Sequence, residues 1–343
     1  MNNQKQIASK FLRNINSAVQ AIEPIHHGLI NSTFKVQDDN NNFFILQKIN
    51  TSVFKNPFDL AHNLSIFKEN VELQRVKLNI PDYLIFENKL ILEYESTFWR
   101  MYRYIPGKVF KKTKNNVMSK SAAMTLGKFH VLSEFMPLNS FKSTIENFTN
   151  FHLRVLDLKR SLNKGINSRI RETSGFLSEL INHLTIIEEY CHIEKKVPIR
   201  LIHGDPKISN FIFNTCEKNI TGIIDLDTMG KGSILYDFGD MVRSFSNRNF
   251  ESGQKMVNIL NKNILQSIID GYLESTDGFL TQLERNSLLL SAKAVCLVQS
   301  IRFYTDYLMG DSYYHISHQE ENMKRAENQF ELFRELNEFN CTV

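Results

Sequence analysis

The sequence predicts an α+β protein with two lobes, a small antiparallel sheet followed by a larger, mainly helical part. The first hundred residues contain short β-branched and aromatic runs separated by Asn/Asp turns. After Pro106-Gly107, apolar residues mostly recur at the three- and four-residue spacing of helices. With 343 residues the chain is long enough to bury a sizeable core. We therefore predict lobes at residues 1–105 and 106–343.

The N-terminal lobe is expected to contain five short strands and two helices. Apolar spacing predicts the first helix over residues 7–22 and a second, packed on the sheet, over 58–78. The strands are predicted at residues 33–37, 43–49, 83–86, 90–93 and 98–104.

The C-terminal lobe combines helices with one small hairpin. Helices are predicted at residues 122–135, 151–162, 176–190, 256–273, 283–308 and 322–339. Short strands are expected at residues 199–202, 210–213 and 220–225. The polar stretch 214–219 should join the last two strands as a hairpin inside this lobe.

Composition excludes several classes of protein. The 41 basic and 37 acidic residues leave a net charge of only +4, which does not favour nucleic acid as a partner. The 4 cysteines are far apart, so neither a disulfide framework nor a zinc cluster is expected. No apolar run has the length of a signal peptide or membrane span, which predicts a cytoplasmic protein without a membrane partner. The oligomeric state is left open.

The segment from His203 to Asn210 carries the clearest chemical signal. Asp205 is followed five residues later by Asn210, and Asp225 ends the next predicted strand. This is the spacing of a kinase catalytic loop and its metal-binding aspartate. Asp205 is predicted to accept the proton of a substrate hydroxyl, and Asn210 and Asp225 to hold Mg²⁺ beside ATP. Asp227 is either a further metal ligand or a turn cap.

With this loop and four further segments, the sequence resembles the aminoglycoside phosphotransferase and choline kinase superfamily over most of its length. Within it, the chain is most similar to the N-acetylhexosamine 1-kinases. The further segments are residues 28–34, 44–50, 236–244 and 301–311. The resemblance implies a protein-kinase-like fold and an enzyme that uses ATP and Mg²⁺. Its expected reaction is phosphorylation of the anomeric hydroxyl of N-acetylglucosamine or N-acetylgalactosamine.

The resemblance makes the N-terminal lobe the nucleotide-binding lobe. Asn31, Ser32 and Thr33 are expected near the phosphates, and Gln47 occupies the usual lysine position. Lys48 is the candidate for the lysine that pairs with the ATP phosphates, although strand alternation allows either Gln47 or Lys48, not both, to face the nucleotide. No glutamate partner is assigned, because Glu69 and Glu72 are typical of a solvated helix face. The predicted adenine contacts are Met101, Tyr102 and Tyr104.

The C-terminal lobe is expected to bind the acceptor as well as to carry the catalytic loop. Arg302 and Asp306 lie four residues apart on a predicted helix, so they form either a surface ion pair or part of a sugar site. Apolar neighbours and the resemblance favour the sugar site. His26 or His27 is expected to reach it, with His27 the chosen candidate, while Asp205 touches the reacting hydroxyl.

Two other functions compete with a sugar 1-kinase. A kinase of the same fold for a hexose, an amino alcohol or an aminoglycoside is the nearest alternative. A cationic acceptor needs an acidic pocket, whereas the acidic residues of the last predicted helix alternate with Lys and Arg, as on a solvated face. The other alternative is a catalytically silent kinase fold, against which Asp205, Asn210 and Asp225 argue. Asp240 and Arg243 are expected to brace the catalytic loop.

Overall fold

The structure is a computed structural model that describes residues 2–25, 30–73, 78–249 and 257–339. The chain divides into two compact units. The first, here called the sheet unit, comprises Met1–Val109, Phe135–Glu146 and Phe211–Lys231. The second, the helical unit, comprises Phe110–Glu134, Asn147–Asn210 and Gly232–Val343.

The sheet unit is built on an antiparallel sheet of 5 strands in the order β1-β2-β3-β5-β4. Its elements in chain order are α1 (Asn2–Arg13), β1 (Val19–Ile25), β2 (Ser32–Asp38), β3 (Phe43–Lys48), α2 (Pro57–Leu73), β4 (Leu92–Tyr94) and β5 (Thr97–Arg103). Helix α1 packs on one sheet face, where Phe11 joins Leu46 and Met101 in a buried core. We call this side of the sheet the α1 face.

The prediction of one helix over residues 7–22 is wrong beyond Arg13. The chain turns at Asn16, whose φ of 53° is left-handed, and re-enters the sheet as β1. Val19 and Ile22 pack against the same core as α1, which explains why the apolar spacing runs on past the helix. Pro24 could not have continued a helix, because it lacks the N–H donor.

Other differences are local. The predicted strand at 83–86 is reduced to isolated bridges, since Glu87 and Asn88 adopt left-handed turn conformations directly after it. The helices predicted at 176–190 and 283–308 are each interrupted, at His183 and Ser287. Residue 256, the predicted start of another helix, lies outside the described residues.

The remaining elements lie after Val109 in the chain. They are α3 (Asn116–Val131), α4 (Phe151–Lys164), α5 (Asn167–Glu172), α6 (Ser174–Asn182), α7 (Leu184–Glu194), β6 (Arg200–Ile202), β7 (Phe211–Phe213), β8 (Ile220–Ile223), β9 (Gly230–Gly232), α8 (Ile234–Ser246), α9 (Lys262–Ser275), α10 (Gln282–Asn286), α11 (Leu288–Leu308) and α12 (Glu321–Glu338). None of the helices in the described part is long and apolar enough to cross a membrane.

The predicted hairpin is confirmed as β7–β8, and it belongs to the sheet unit. Phe213 and Lys108 exchange two backbone hydrogen bonds, of 2.8 and 2.9 Å. Gly107 allows this approach, because its φ is +151° and a Cβ there would lie 2.5 Å from the carbonyl oxygen of Phe213. The Pro106-Gly107 signal therefore marks the point at which the hairpin meets the first hundred residues. The α+β class predicted from the sequence is confirmed.

Candidate active site

The predicted catalytic loop, in the helical unit, follows β6 and ends in a 3-10 turn at Ile208–Asn210. Within it Lys207 Nζ lies 2.5 Å from Asp205 Oδ2. Asn210 Nδ2 donates to the backbone oxygen of Asp205 at 2.8 Å and to its Oδ2 at 3.2 Å. The predicted base and one predicted metal ligand are thus neighbours. Sequence reasoning assigned no role to Lys207, although it lies within the segment from His203 to Asn210.

The surroundings of Asp205 favour its protonated form more than water does. Burial raises the pKa of Asp205, and the nearby Asp240 raises it further, while Lys207 and Arg243 act in the opposite direction. The net pKa lies above the usual aspartate value. A carboxylate with a raised pKa is a better proton acceptor once it is ionised, which suits a general base.

Asp237, on the first turn of α8, holds the start of the catalytic loop. Its fully buried carboxylate accepts from His203 N at 2.6 Å and Gly204 N at 2.9 Å. It also lies 2.9 Å from His130 Nε2, whose Nδ1 is 2.7 Å from the hydroxyl of Tyr272. Sequence reasoning gave Asp237 no role. The available signal was a carboxylate in a helix first turn, which also suits an ordinary cap.

Asp240 and Arg243, the expected braces, bond to each other with Arg243 Nε 2.7 Å from Asp240 Oδ1. Their relation to Asp205 is electrostatic, with opposite effects on its pKa. Asp237 accepts hydrogen bonds directly from the loop backbone and so supports it mechanically. Bracing of the loop by Asp240 and Arg243 stays a prediction.

Arg302 lies in the helical unit, at the wall of a small cleft. The cleft is lined by Phe148, Phe151, Arg154, Tyr236, Val295, Val298, Gln299 and Arg302. Arg302 donates to Gln299 Oε1 at 3.1 Å, and its guanidinium carbon is 5.8 Å from the ring centre of Tyr314. Burial raises the pKa of Tyr236, and both Asp240 and Asp205 add to this effect while Arg302 opposes it. The pKa of Tyr236 therefore depends on the charges of both the predicted base and Arg302.

Asp306 makes contacts other than the ion pair with Arg302. Its carboxylate accepts from the backbone nitrogens of Tyr313 and Tyr314, at 2.8 and 2.9 Å, and from Asn322 Nδ2 at 2.9 Å. Asp306 therefore supports the loop that presents Tyr314 to Arg302. A direct sugar contact by Asp306 stays a prediction, and His27 lies outside the described residues.

Arg154 is a cleft residue that sequence reasoning missed. Its two terminal nitrogens bond to Asp157 Oδ2 at 3.2 Å and to the carbonyl oxygen of Asn147 at 3.0 Å. Its Nε is buried and has no hydrogen-bond partner in the described part of the chain. A surface-like position in an amphipathic helix gave no signal for this role.

In the sheet unit, Asp225 and Asp227 lie on the turn that follows β8. Asp225 adopts φ 63° and ψ 52°, and a 3-10 turn at Leu226–Thr228 follows it. Asp227 Oδ1 and Oδ2 accept from the two terminal nitrogens of Arg100, at 2.5 and 2.9 Å. Asn31 Nδ2 also donates to Asp227 Oδ2, at 2.8 Å. The Asp227 carboxylate is thus engaged by two side chains.

Gln47 and Lys48 lie on opposite faces of the sheet. Gln47 is paired with Arg100 on β5 and accepts from its Nε at 2.9 Å. Lys48 alternates with Gln47 and shares the α1 face with Leu46. Gln47 therefore lies on the same side of the sheet as the Arg100–Asp227 pair.

The other predicted nucleotide residues of the sheet unit surround this pair or lie on β5. Asn31 Oδ1 accepts from Asn50 N at 3.0 Å, and Thr33 Oγ1 accepts from Gln47 Nε2 at 3.3 Å. Ser32 is exposed at the start of β2.

Met101 is buried on the α1 face. Tyr102 packs edge-to-face on Tyr83, with ring centres 5.3 Å apart, and Tyr104 lies 6.3 Å from Phe43. Their nucleotide contacts stay predictions.

Asn210 and Asp225, taken separately, each carry a side-chain oxygen of the kind that a magnesium ion prefers. Asn210 uses its amide nitrogen for both bonds to Asp205, so its Oδ1 is the atom suited to a metal. Mg²⁺ prefers oxygen ligands and is often held by one or two protein groups together with water and phosphate. No group of three His, Cys, Asp or Glu residues within the described ranges could hold a metal, and such a cluster is not required for this mode of binding.

Solved structures of phosphotransferases and kinases share this fold. The GDP and kanamycin complex of the aminoglycoside phosphotransferase APH(2'')-IIIa is 14% identical, with 98% of this chain and 99% of that chain covered and a TM-score of 0.59. A Plasmodium vivax ethanolamine kinase is 14% identical over 92% of this chain and 84% of its own, with a TM-score of 0.60. A macrolide 2'-phosphotransferase from Brachybacterium faecium is 11% identical over 95% and 98%, with a TM-score of 0.55.

These similarities confirm the predicted protein-kinase-like fold, with its antiparallel N-terminal sheet and helical C-terminal region. The sequence profile described as "Phosphotransferase enzyme family", APH, matches residues 21–258 and so includes both the catalytic loop and Asp225. The chain therefore belongs to the APH phosphotransferase enzyme family.

Proposed function

We propose that this phosphotransferase transfers the γ-phosphoryl group of ATP to the anomeric hydroxyl of an N-acetylhexosamine, forming a sugar 1-phosphate and ADP. The relatives described above have names or bound molecules that include an aminoglycoside, ethanolamine and a macrolide, so the fold accommodates varied hydroxyl compounds. The choice among acceptors rests on the cleft beside Arg302, and first of all on its charge.

Two arginines and no carboxylate are present among the eight residues that line this cleft. A cationic acceptor, such as an amino alcohol or an aminoglycoside, would meet like charge, and no carboxylate among the lining residues would compensate it. A neutral sugar avoids this repulsion and offers oxygens to the donors Arg302 and Gln299. The rings of Phe151 and Tyr236 supply apolar surface for the sugar ring or an acetyl methyl group. The cleft therefore favours a neutral acceptor.

The unpartnered Arg154 Nε favours an acceptor that carries a carbonyl group. A buried donor without a partner lowers the stability of the protein, and an incoming acceptor atom would relieve that cost. An acetamido group combines such a carbonyl oxygen with a small apolar methyl group. This combination matches a polar donor beside Phe148 and Val295.

Asp205 is the proposed proton acceptor. Lys207 and Asn210 both contact Oδ2, which leaves Oδ1 as the oxygen that takes the proton from the anomeric hydroxyl. An anomeric hydroxyl is more acidic than an ordinary alcohol, so a carboxylate is a sufficient base. When bound, Mg²⁺ would offset negative charge on the phosphates. Asn210 and Asp225 would hold it.

The decisive experiment offers Mg·ATP with a panel of free acceptors and follows the products by ³¹P NMR. The panel contains N-acetylglucosamine, N-acetylgalactosamine, glucose, galactose, ethanolamine and kanamycin. We expect an anomeric phosphate with the N-acetylhexosamines and little product with the cationic acceptors. Asp205→Asn should abolish the signal, and Asp270→Asn, an exposed site on α9, should not.

Three results would overturn the proposal. Product with ethanolamine or kanamycin alone would assign a cationic acceptor, and equal product with glucose would remove the acetamido preference. Binding of ADP without transfer to any acceptor would indicate a catalytically silent kinase fold.

A further inference from the structure

We propose that Arg100 and Asp227 act together as a positioning pair that fixes the turn carrying Asp225, and thereby the carboxylate that binds the metal. This inference rests on the proposed function in one respect, the assignment of Asp225 as a magnesium ligand. It gives Asp227 a role different from that of a second metal ligand.

The backbone of Asp225 requires external support. Its φ of 63° and ψ of 52° lie in the left-handed region, which side chains other than glycine adopt at a cost. Such a conformation persists where the surrounding structure determines it. Strand β8 ends at Ile223, and the residues after Asp225 hold the other end of the turn.

Asp227 supplies that support through three separate parts of the sheet unit. Its carboxylate binds Arg100 of β5 and Asn31 before β2, and its backbone oxygen accepts from Thr144 Oγ1 at 2.7 Å. Arg100 and Asp227 are each only 2% exposed. A residue that is bonded through both side chain and backbone cannot shift without breaking several contacts. The turn that begins at Asp225 is therefore held from its far side.

Arginine is suited to this role at position 100. Its planar guanidinium matches a carboxylate through two parallel hydrogen bonds, which sets orientation as well as distance. Burial would lower the pKa of Arg100, but Asp227 raises it, and the net pKa is raised, so the guanidinium stays charged. Because the guanidinium is buried against Asp227, we infer that it acts through the turn and not by direct contact with phosphate.

Gln47 completes the arrangement. It lies opposite Arg100 on β3 and accepts from Nε, the one guanidinium nitrogen that does not face Asp227. A lysine at position 47 would place a second cation against Arg100 in a buried site and would remove this acceptor. The neutral residue at the usual lysine position is thus the partner that Arg100 requires.

The test measures metal-dependent nucleotide binding without catalysis. The affinity for ADP is determined by calorimetry in Mg²⁺ and again in EDTA, and the ratio gives the enhancement due to the metal. We expect Arg100→Lys and Asp227→Asn to reduce this enhancement by about 10- to 100-fold, as for residues that support a metal ligand. Binding in EDTA should be unchanged. Arg103→Met, on the same strand but half exposed, is the matched control.

Folding is checked by urea denaturation, because a broken buried ion pair destabilises the protein. Arg100→Lys is chosen because it keeps the charge, and Asp227→Asn because it keeps the shape. The proposal is overturned if folded variants of both kinds retain the full enhancement. It is also overturned if they lose ADP affinity equally in EDTA, which would show direct phosphate contact.

Asp225→Asn separates this inference from the proposed function. Loss of the metal enhancement in this variant supports the assignment of Asp225, and the outcome for Arg100 and Asp227 then decides the positioning role. If Asp225→Asn keeps the enhancement, the metal-ligand assignment in the proposed function fails.

Discussion

Each unit of the molecule supports its predicted functional aspartate with a second, buried aspartate. In the helical unit Asp237 supports the loop that carries Asp205, because its carboxylate accepts hydrogen bonds directly from the loop backbone. In the sheet unit Asp227 follows Asp225 on the same turn, and its carboxylate accepts hydrogen bonds from the side chains of Arg100 and Asn31. The first arrangement depends on backbone N–H groups, and the second on a permanently charged partner.

The two arrangements should lose different amounts of stability when the supporting aspartate is replaced. An aspartate that accepts backbone donors is replaceable by a neutral acceptor at moderate cost, because the donors themselves are neutral. An aspartate that compensates a buried guanidinium is not, since its loss leaves a charge in a region from which water is excluded. We therefore expect the sheet unit to respond more strongly to the loss of its supporting aspartate.

The largest effect is expected for the proposed general base, Asp205. Asp205→Asn should lower kcat by at least about 10²-fold, because it removes the general base. The measurement is ADP release with N-acetylglucosamine. Retention of most turnover would contradict the role of Asp205.

Thermal unfolding of the same variant provides the control. Because the folded pKa of Asp205 is raised, its ionised form destabilises the folded state at neutral pH. Asp205→Asn should therefore melt no lower than the parent at pH 7. The difference should vanish below the usual carboxylate range, where the carboxyl is protonated in both states.

The comparison of the two supports is tested by stability. Asp227→Ala should destabilise the protein by about 3–5 kcal/mol, since it strands the Arg100 charge. Asp237→Asn should cost less, about 1–3 kcal/mol, because one buried donor loses its acceptor. Urea unfolding at pH 7 measures both. A smaller loss for Asp227→Ala than for Asp237→Asn would reverse the comparison.

A third prediction concerns the acceptor cleft. Arg302→Met should raise KM for the sugar by about tenfold or more, the equivalent of one charged hydrogen bond. The ADP affinity should not change. Arg334→Met, an exposed arginine on α12, is the control. Equal effects of the two substitutions would remove Arg302 from the acceptor site.

The smallest expected effect is a shift in the pH profile. Asp240 raises the pKa of Asp205, whereas Arg243 lowers it. Asp240→Asn removes the first influence, so the pKa of Asp205 should fall. Because the base acts in its ionised form, the acid limb of the kcat/KM profile should move to lower pH. A shift to higher pH would contradict the electrostatic role of Asp240.

Much of the fold was predictable because local patterns are strong where strands and helices are regular. The hairpin β7–β8 and the spacing from Asp205 to Asn210 depend on neighbours in sequence, and both were recognised. The partition between α1 and β1 was not, since Val19 and Ile22 contact the same core as the helix. Apolar spacing alone does not show where a chain reverses direction.

The supporting residues of the site were harder to predict. The bonds from Asp227 to Arg100 and from Asp237 to His130 join residues more than a hundred positions apart. No spacing rule connects such positions, and a buried arginine on an aromatic strand resembles an exposed one in sequence. Only the register of β3 against β5 shows that Arg100 lies opposite Gln47.

That register has an evolutionary consequence. Since Gln47 accepts from Arg100, the two positions form one unit in which only one member can carry a positive charge. Among natural members of the family, we expect substitutions at the two positions to be correlated, with lysine at the first accompanied by a neutral residue at the second. A single exchange at either position would pass through a less stable intermediate. Lineages should therefore retain one arrangement or the other over long periods.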